Sequence, residues 1–276
     1  MGLFRDNIRR KVGDEGLSSY GFEGVIGQGG FAKVYRVRRD GRVYAMKVPS
    51  FIDPRSSDSI CGIDQDMRRK YGKEALNWSR LTEDAPDSVI GLVQYDDDPF
   101  PWMVMELADS DLSAHIGSGK ATADDVADLL HKLQRIHELG IVHRDIKPEN
   151  IMRVGGDWRF TDFGLSKVMG SVSRTTGAMK GTVEYMAPEQ VNPKEFGEVD
   201  HRTDIWQMGI LLYRVVAGRS PYPTDDPNAV PFVMLVQGPD IEAAPDAYVP
   251  VLSKALARRK SDRFGSAEEF ARALEG

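Results

Sequence analysis

Between His143 and Gly164 the chain concentrates groups suited to one kind of chemistry. His143-Arg144-Asp145-Ile146-Lys147-Pro148-Glu149-Asn150 is followed by Asp162-Phe163-Gly164. Asp162 and Asn150 can supply hard oxygen ligands to Mg²⁺, Asp145 a carboxylate beside an attacking hydroxyl, and Lys147 a cation for developing negative charge. Upstream, Lys47 in Ala45-Met46-Lys47 offers a second cation. The run Gly27-Gln28-Gly29-Gly30-Phe31-Ala32-Lys33-Val34 offers a backbone able to lie close against phosphate oxygens. These are the parts that phosphoryl transfer from a nucleotide requires. Each part alone has a plainer reading: a glycine turn as a mere hairpin, a lysine as a solvated edge residue, a polar side chain as a structural one. The ordered set is what resists the plain readings.

Such groups need elements to hold them. Gly21 to Gln28 and Phe31 to Arg38 read as strands flanking the glycine cluster. Because strand character resumes at once, the cluster is not a strand-to-helix dinucleotide loop. A turn at Asp40-Gly41 leads into Arg42 to Val48, with Val43, Ala45 and Lys47 on one face and Tyr44, Met46 and Val48 on the other. An inward-facing ammonium is costly unless paired. Glu74 is the best partner, because Glu74, Trp78 and Leu81 line one side of a helix. Pro49 to Gly72 reads as a long loop on its Pro, Ser, Asp and Gly content. Two further short strands end at Met103 to Leu107.

Beyond residue 108 helices dominate. Thr122-Ala123-Asp124-Asp125 has the form of a capping box, with Val126, Leu129, Leu130, Leu133 and Ile136 at helical spacing behind it. Ser266-Ala267-Glu268-Glu269 repeats that start signal. Ile151 to Val154 and Trp158 to Thr161 bracket Gly155-Gly156 as a hairpin. A small β-rich lobe is therefore expected to join a larger helical lobe near residues 106–109, and a cleft between lobes commonly holds a small molecule.

Composition narrows the field. The 276 residues, 41% hydrophobic and 28% charged, suit a globular chain with a sizeable core. A net charge of −6 provides no field for gathering nucleic acid or an anionic membrane surface. The clusters Arg9-Arg10-Lys11 and Arg258-Arg259-Lys260 read as solvated helix ends. The single cysteine, Cys61, allows no intrachain disulfide, which fits a reducing compartment. The five histidines show no zinc-ligand spacing. The first 20 residues carry charges throughout and lack a signal-peptide core. The longest apolar stretch, Ile205 to Ala217, is interrupted by Gln207 and Arg214 and is shorter than the ~20 residues a bilayer requires. A cytoplasmic chain without direct membrane contact is expected.

The ordered set resembles the protein-kinase family over roughly residues 20–275. Gly181-Thr182, Tyr185-Met186-Ala187-Pro188-Glu189, Asp204-Ile205-Trp206-Gln207-Met208-Gly209 and Asp262-Arg263 extend the resemblance. Lys147 two residues past Asp145, together with Thr182, marks the serine/threonine type, and the run ending Ala-Pro-Glu-Gln looks most like bacterial members. The resemblance implies an α+β, bilobal protein-kinase fold. Its small antiparallel β-rich N-lobe would carry one key helix, and its larger C-lobe would be mainly helical. The expected division is an N-terminal extension over 1–19, N-lobe over 20–107 and C-lobe over 108–276, forming one catalytic domain.

By the same resemblance, ATP with Mg²⁺ (Mn²⁺ as an alternative ion) would donate phosphate to a serine or threonine of a protein substrate. Gly27, Gly29, Ala32 and Val34 would cover the phosphates, with Val34 and Ala45 roofing the adenine. Lys47 would hold the α- and β-phosphates, oriented by Glu74. Met105 would back the adenine pocket, the backbones of Glu106 and Ala108 would bond the base, Asp111 would reach the ribose, and Met152 would join the nucleotide contacts. Asp145 would orient the hydroxyl and accept its proton late. Lys147 would neutralise the γ-phosphate, Asn150 and Asp162 would share two Mg²⁺ ions, and Glu189 and Arg263 would form a buried ion pair.

The chain departs from the family pattern in places. Ala32 replaces a third glycine, tolerable where φ is negative. The interval of 27 residues from Lys47 to Glu74 is long, and reads as a surface insertion or as a docking element containing Cys61. Trp78 is bulky for a position that packs behind the metal-binding loop, and an outward-biased helix is one expectation. Arg144 would lack a counter-charge until phosphate arrives between Asp162 and Glu189. With Thr182 committed to substrate-loop hydrogen bonds, Thr175 and Thr176 are the favoured autophosphorylation sites there, and two chains could pair for that reaction. Two other functions compete. A catalytically silent nucleotide-binding scaffold would ordinarily have lost Lys47, Asp145 or Asp162. A small-molecule phosphotransferase would not need the platform ending at Ala187-Pro188-Glu189.

Overall fold

The computed structural model describes residues 16–29, 32–55, 65–163, 182–224 and 226–276. They divide into two units between Asp109 and Ser110. The first unit is built on a five-stranded antiparallel sheet in the order β1-β2-β3-β5-β4. Its strands are β1 (Gly21–Gln28), β2 (Ala32–Arg39), β3 (Arg42–Pro49), β4 (Leu92–Asp96) and β5 (Trp102–Glu106). Tyr35, Val37, Met46, Val48, Trp102 and Val104 face one side of this sheet and form a core with Tyr20, Ile52 and Phe100. Leu17, within the expected N-terminal extension, packs against that core.

Helix α1 spans Gln65–Asp84. It begins well before the expected end of the loop at Gly72, and residues 65–72 correct that reading. Asp66 pairs with Arg69 at 2.6 Å and Lys70 at 2.5 Å, one turn along, and Tyr71 is buried. Gly72, which suggested a loop, is a packing requirement inside the helix: a Cβ there would lie 3.3 Å from the Tyr95 hydroxyl.

The second unit is mainly helical among the described residues. Helix α2 (Ala123–Glu138) starts at the expected capping box: Asp125 N–H donates to Thr122 Oγ1 at 3.3 Å, and Thr122 N–H donates to Asp125 Oδ2 at 2.8 Å. Short helices α3 (Thr182–Tyr185), α4 (Pro188–Val191) and α5 (Pro193–Phe196) precede the long α6 (His201–Ala217). Ile205, Trp206, Met208, Ile210, Leu211, Leu212 and Tyr213 of α6 are all fully buried, as expected of a helix apolar nearly all round. It stops at Gly218, whose φ of +70° lets its N–H cap the Arg214 carbonyl. Helices α7 (Val230–Val236), α8 (Val249–Ala255) and α9 (Ala267–Glu275) complete the unit, α9 capped by Ser266. A small sheet, β6 (Ser110–Asp111), β7 (Ile151–Val154) and β8 (Asp157–Phe160), carries the expected two-glycine turn, with Gly155 and Gly156 both at positive φ. Among the described residues no helix is long and apolar enough to cross a membrane.

Candidate active site

In the first unit, cross-strand register gathers the expected nucleotide-contacting residues. Gly27 pairs with Val34, Val34 with Lys47 and Lys47 with Met103, while Ala45 pairs with Met105. Directly opposed residues share a face, so Val34, Ala45, Lys47 and Met105 stand together on the side opposite the Tyr35–Met46 core. The expected alternation of β3 is therefore present. Lys47 is 3% exposed, not a solvated edge residue, and its Nζ donates to Glu74 Oε1 at 3.0 Å. Glu74 is equally buried. Trp78 does not push α1 outward. Its ring is fully buried, its indole N–H donates to the Ile90 carbonyl at 2.6 Å, and the Lys47–Glu74 pair is closed. The expected outward bias fails because the ring is accommodated beside the chain leading into β4.

The glycine turn is described at Gly27 and Gly29, and Gly29 N–H donates to the Ala32 carbonyl at 2.8 Å. A Cβ on Gly27 would approach nothing nearer than 3.6 Å, and one on Gly29 nothing nearer than 3.8 Å, and neither has positive φ. The chain's own packing therefore does not demand glycine at either place. Ala32 is not among the positive-φ residues, so its methyl group sits without backbone strain. Glu106 is strapped to Gly91: its N–H donates to the Gly91 carbonyl at 3.0 Å, and its Oε2 accepts the Gly91 N–H at 2.9 Å. Ala108 lies two residues on, still within the first unit.

In the second unit Asp145, Lys147 and Asn150 converge. Asp145 Oδ2 lies 3.2 Å from Lys147 Nζ and accepts Asn150 Nδ2–H at 2.9 Å. Asn150 Nδ2 also donates to the Asp145 carbonyl at 2.8 Å, which fixes the amide orientation and leaves Oδ1 as its acceptor. Thr161 links this loop to Asp162: its N–H donates to the Asn150 carbonyl at 3.0 Å, and its carbonyl accepts His143 Nε2–H at 2.9 Å. His143 Nδ1 accepts the Asp145 N–H at 3.3 Å, so the ring must be neutral with its proton on Nε2. Complete burial lowers its pKa in agreement with that tautomer. The ring lies 4.8 Å from the buried Phe163 ring.

Asp162 and Arg144 have φ of +64° and +70°, left-handed conformations that cost a non-glycine residue about 1–2 kcal/mol. Asp204 supports Arg144. Its Oδ1 accepts the Arg144 N–H at 2.7 Å, and its Oδ2 accepts the His143 N–H and His137 Nε2–H, both at 2.8 Å. Burial opposes the Asp204 charge, but these donors, the His137 ring foremost, hold its carboxyl below the ordinary value.

Asp111 and Met152 are register partners in β6 and β7. The Asp111 carboxylate caps the turn over 112–114, accepting the Ser113 N–H at 2.9 Å and the Ser113 hydroxyl. Glu189 and Arg263 form the expected buried ion pair, at 2.8 and 2.9 Å. Gly164, Thr175, Thr176 and Cys61 lie outside the described residues, as does the side chain of Thr182.

Among the described residues no three His, Cys, Asp or Glu side chains are arranged to hold a metal. Mg²⁺ does not require such a cage, because it is usually held by one or two protein oxygens together with phosphates and water. Asn150 Oδ1 and the Asp162 carboxylate are oxygens of the right hardness, on segments joined through Thr161, so these residues fit the ion. The roles of Asp204, Gln207, Gln190 and His137 were not legible beforehand. For Asp204 and Gln207 the signal available was their polarity within the largely apolar α6; Gln190 in α4 and His137 in α2 carried none.

A protein kinase domain matches residues 20–270. The probable serine/threonine-protein kinase SCO3848 of Streptomyces coelicolor is 32% identical over 266 residues, covering 89% of this chain and 38% of that protein. PknL of Mycobacterium tuberculosis is 31% identical over 274 residues, covering 94% and 65%. This chain thus spans between about a third and two thirds of the length of these relatives. The crystal structure of the Mycobacterium tuberculosis PknI kinase domain superposes with a TM-score of 0.65 at 23% identity, covering 95% of this chain and 96% of that one. That likeness speaks to the fold. With the family match spanning nearly the whole sequence, the chain belongs to the protein kinase family.

Proposed function

We propose that this chain is an active protein serine/threonine kinase that transfers the γ-phosphoryl group of ATP to a hydroxyl of a protein substrate. The observation that carries the reading is the cluster around Asp145, whose carboxylate is held by Asn150 at 2.9 Å with Lys147 at 3.2 Å. Asp145 orients the acceptor hydroxyl. As the oxygen bonds to phosphorus and the bond to ADP breaks, the hydroxyl proton passes to the Asp145 carboxylate. In a loose transition state the leaving bond is well broken first, so an ordinary carboxylate suffices. Lys147 offsets charge on the transferring group. Lys47, kept in place by Glu74, holds the nucleotide phosphates, and the unneeded Cβ space at Gly27 and Gly29 supports close phosphate approach there. Asn150 and Asp162 would hold Mg²⁺, which when bound neutralises phosphate charge. Val34, Ala45 and Met105, on the Lys47 face, would contact the adenine, with the backbones of Glu106 and Ala108; Asp111 and Met152 would contribute from their own unit.

Autophosphorylation at Thr175 and Thr176, between two chains, would supply Arg144 with a counter-charge. The single cysteine supports work in the reducing cytoplasm. Retention of Lys47, Asp145 and Asp162 speaks for catalysis over a silent scaffold. The test compares phosphate incorporation from Mg-ATP into a generic protein substrate by the wild type, Asp145→Asn and Lys47→Met. Incorporation confined to the wild type is expected. Equal incorporation by all three would remove the enzymatic reading.

A further inference from the structure

The first turns of α6 are spent on the peptide backbone around Asp145. Asp204 and Gln207 stand three residues apart and leave the helix on one side; both are buried, at 0% and 1% exposure. Asp204 takes the N–H groups of His143 and Arg144, upstream of Asp145. Gln207 does something different. Its Oε1 accepts the Ile146 N–H at 2.9 Å, and its Nε2 donates to the Arg144 carbonyl at 3.1 Å. A backbone N–H can only donate and a carbonyl only accept, so the orientation of this amide is determined.

The Arg144 carbonyl belongs to the peptide plane entering Asp145, and the Ile146 N–H to the plane leaving it. One rigid side-chain amide therefore grips both planes that flank the Asp145 Cα. The angle between those planes is set by φ and ψ of Asp145, which also set where its Cβ and carboxylate point. Gln190 fixes the gripping group in turn. Its Oε1 accepts Gln207 Nε2–H at 3.0 Å and the Ala187 N–H at 2.9 Å, and its Nε2 donates to the same Arg144 carbonyl at 2.9 Å. Both glutamines are thus bonded in one sense only, and the Arg144 carbonyl receives two donors.

From this geometry we infer that Gln207, held by Gln190, is a positioning residue for phosphoryl transfer: it sets the direction of the Asp145 carboxylate and couples it to Ala187, the residue from which α4 begins. The inference rests on Asp145 acting at the acceptor hydroxyl. The Gln207 amide bonds to Ile146, Arg144 and Gln190, none of which is assigned to the nucleotide, so its loss is expected to act on turnover and leave ATP affinity alone.

The test uses kcat and KM for Mg-ATP, with melting curves, for Gln207→Leu, Gln207→Glu and Gln190→Met. Gln207→Leu removes both bonds and is expected to lower kcat at least tenfold with KM for ATP within twofold of wild type. Gln207→Glu keeps the acceptor for the Ile146 N–H but, when ionised, turns a lone pair toward the Arg144 carbonyl. When protonated it can donate there again. Its kcat relative to wild type is therefore expected to rise as pH falls from 8.5 to 6.5, while the Gln207→Leu ratio stays flat. Gln190→Met decides the matter if the other two fail to fold, with an expected loss of at least threefold in kcat alone. The inference is overturned by wild-type kcat in the folded variants, or by losses that track the unfolded fraction without pH recovery. Asp145→Asn runs beside them: wild-type turnover there would defeat the assignment of Asp145, whereas an inactive Asp145→Asn with fully active glutamine variants defeats only the role of Gln207.

Discussion

The indole N–H of Trp78 donates to the carbonyl of Ile90 at 2.6 Å, one helical turn beyond Glu74. Thr82, a turn further on, repeats the attachment: its hydroxyl oxygen accepts the Leu92 N–H at 3.0 Å, and its O–H donates to the Trp78 carbonyl at 2.9 Å. Two successive turns of α1 are thereby fastened to the chain entering β4. The side of the helix that presents Glu74 to Lys47 is held by these bonds as well as by the ion pair itself. A large residue here closes the pair where bulk alone suggested displacement.

Trp78→Phe keeps most of the buried ring and removes the donor, leaving the Ile90 carbonyl buried and unsatisfied. Loss of about 1–3 kcal/mol is expected, readable by urea unfolding, together with a raised KM for ATP as Glu74 loosens. Unchanged stability and KM would show that the ring, not its N–H, fixes the helix.

The Lys47–Glu74 pair separates stability from function. Both partners are 3% exposed, so breaking the pair with Lys47→Met or Glu74→Gln alone should destabilise by about 3–5 kcal/mol. The double replacement Lys47→Met with Glu74→Leu removes both charges of the pair, and should recover part of that stability while remaining inactive. A double variant as unstable as either single one would mean that the pair contributes net attraction beyond its own desolvation.

Arg263 uses all five of its N–H donors: two on Glu189, and one each on the carbonyls of Ala257, Arg202 and Arg258. Lysine has three donors and no planar fork, so Arg263→Lys is not a mild change. It should lower the melting temperature nearly as far as Arg263→Ala does. A melting curve for Arg263→Lys that overlays the wild type would refute this.

Much of this molecule was legible from local pattern, and the rest from nothing local. Strand β3 and the Thr122 cap lie where alternation and capping chemistry put them, because both depend on neighbours within a few residues. The Lys47–Glu74 pair was legible despite its distance, since an inward ammonium leaves few candidate partners. The start of α1 was misjudged at Gly72, whose reason is the Tyr95 hydroxyl 3.3 Å from its missing Cβ, a contact no window of sequence contains. Asp204 and Gln207 grip backbone groups some sixty residues away, and any residue type but proline could supply those N–H groups. Expected contacts through the Glu106 and Ala108 backbones are silent in sequence for the same reason.

His131 joins α2 to α9 through both ring nitrogens, with Nδ1 2.8 Å from Glu268 and Nε2 2.9 Å from Glu275. Only the imidazolium can donate at both, and the Glu275 and Glu268 hydrogen bonds raise its pKa above the ordinary 6.5. A raised folded-state pKa means that this contribution is fully present below pH 6.5 and is lost as pH climbs through the folded value. The Glu268 carboxyl moves oppositely: His131 and Arg272 lower it, so its share is present above pH 4.5 and fades on acidification through the lowered value. Attachment of α9 is therefore strongest in mildly acidic solution, and modest in size because the groups are part-exposed. Between pH 6 and pH 9 the wild type should lose more melting temperature than His131→Gln, which has no proton to shed. Parallel curves would mean that the ring stays neutral across the whole range and bonds to one carboxylate at a time.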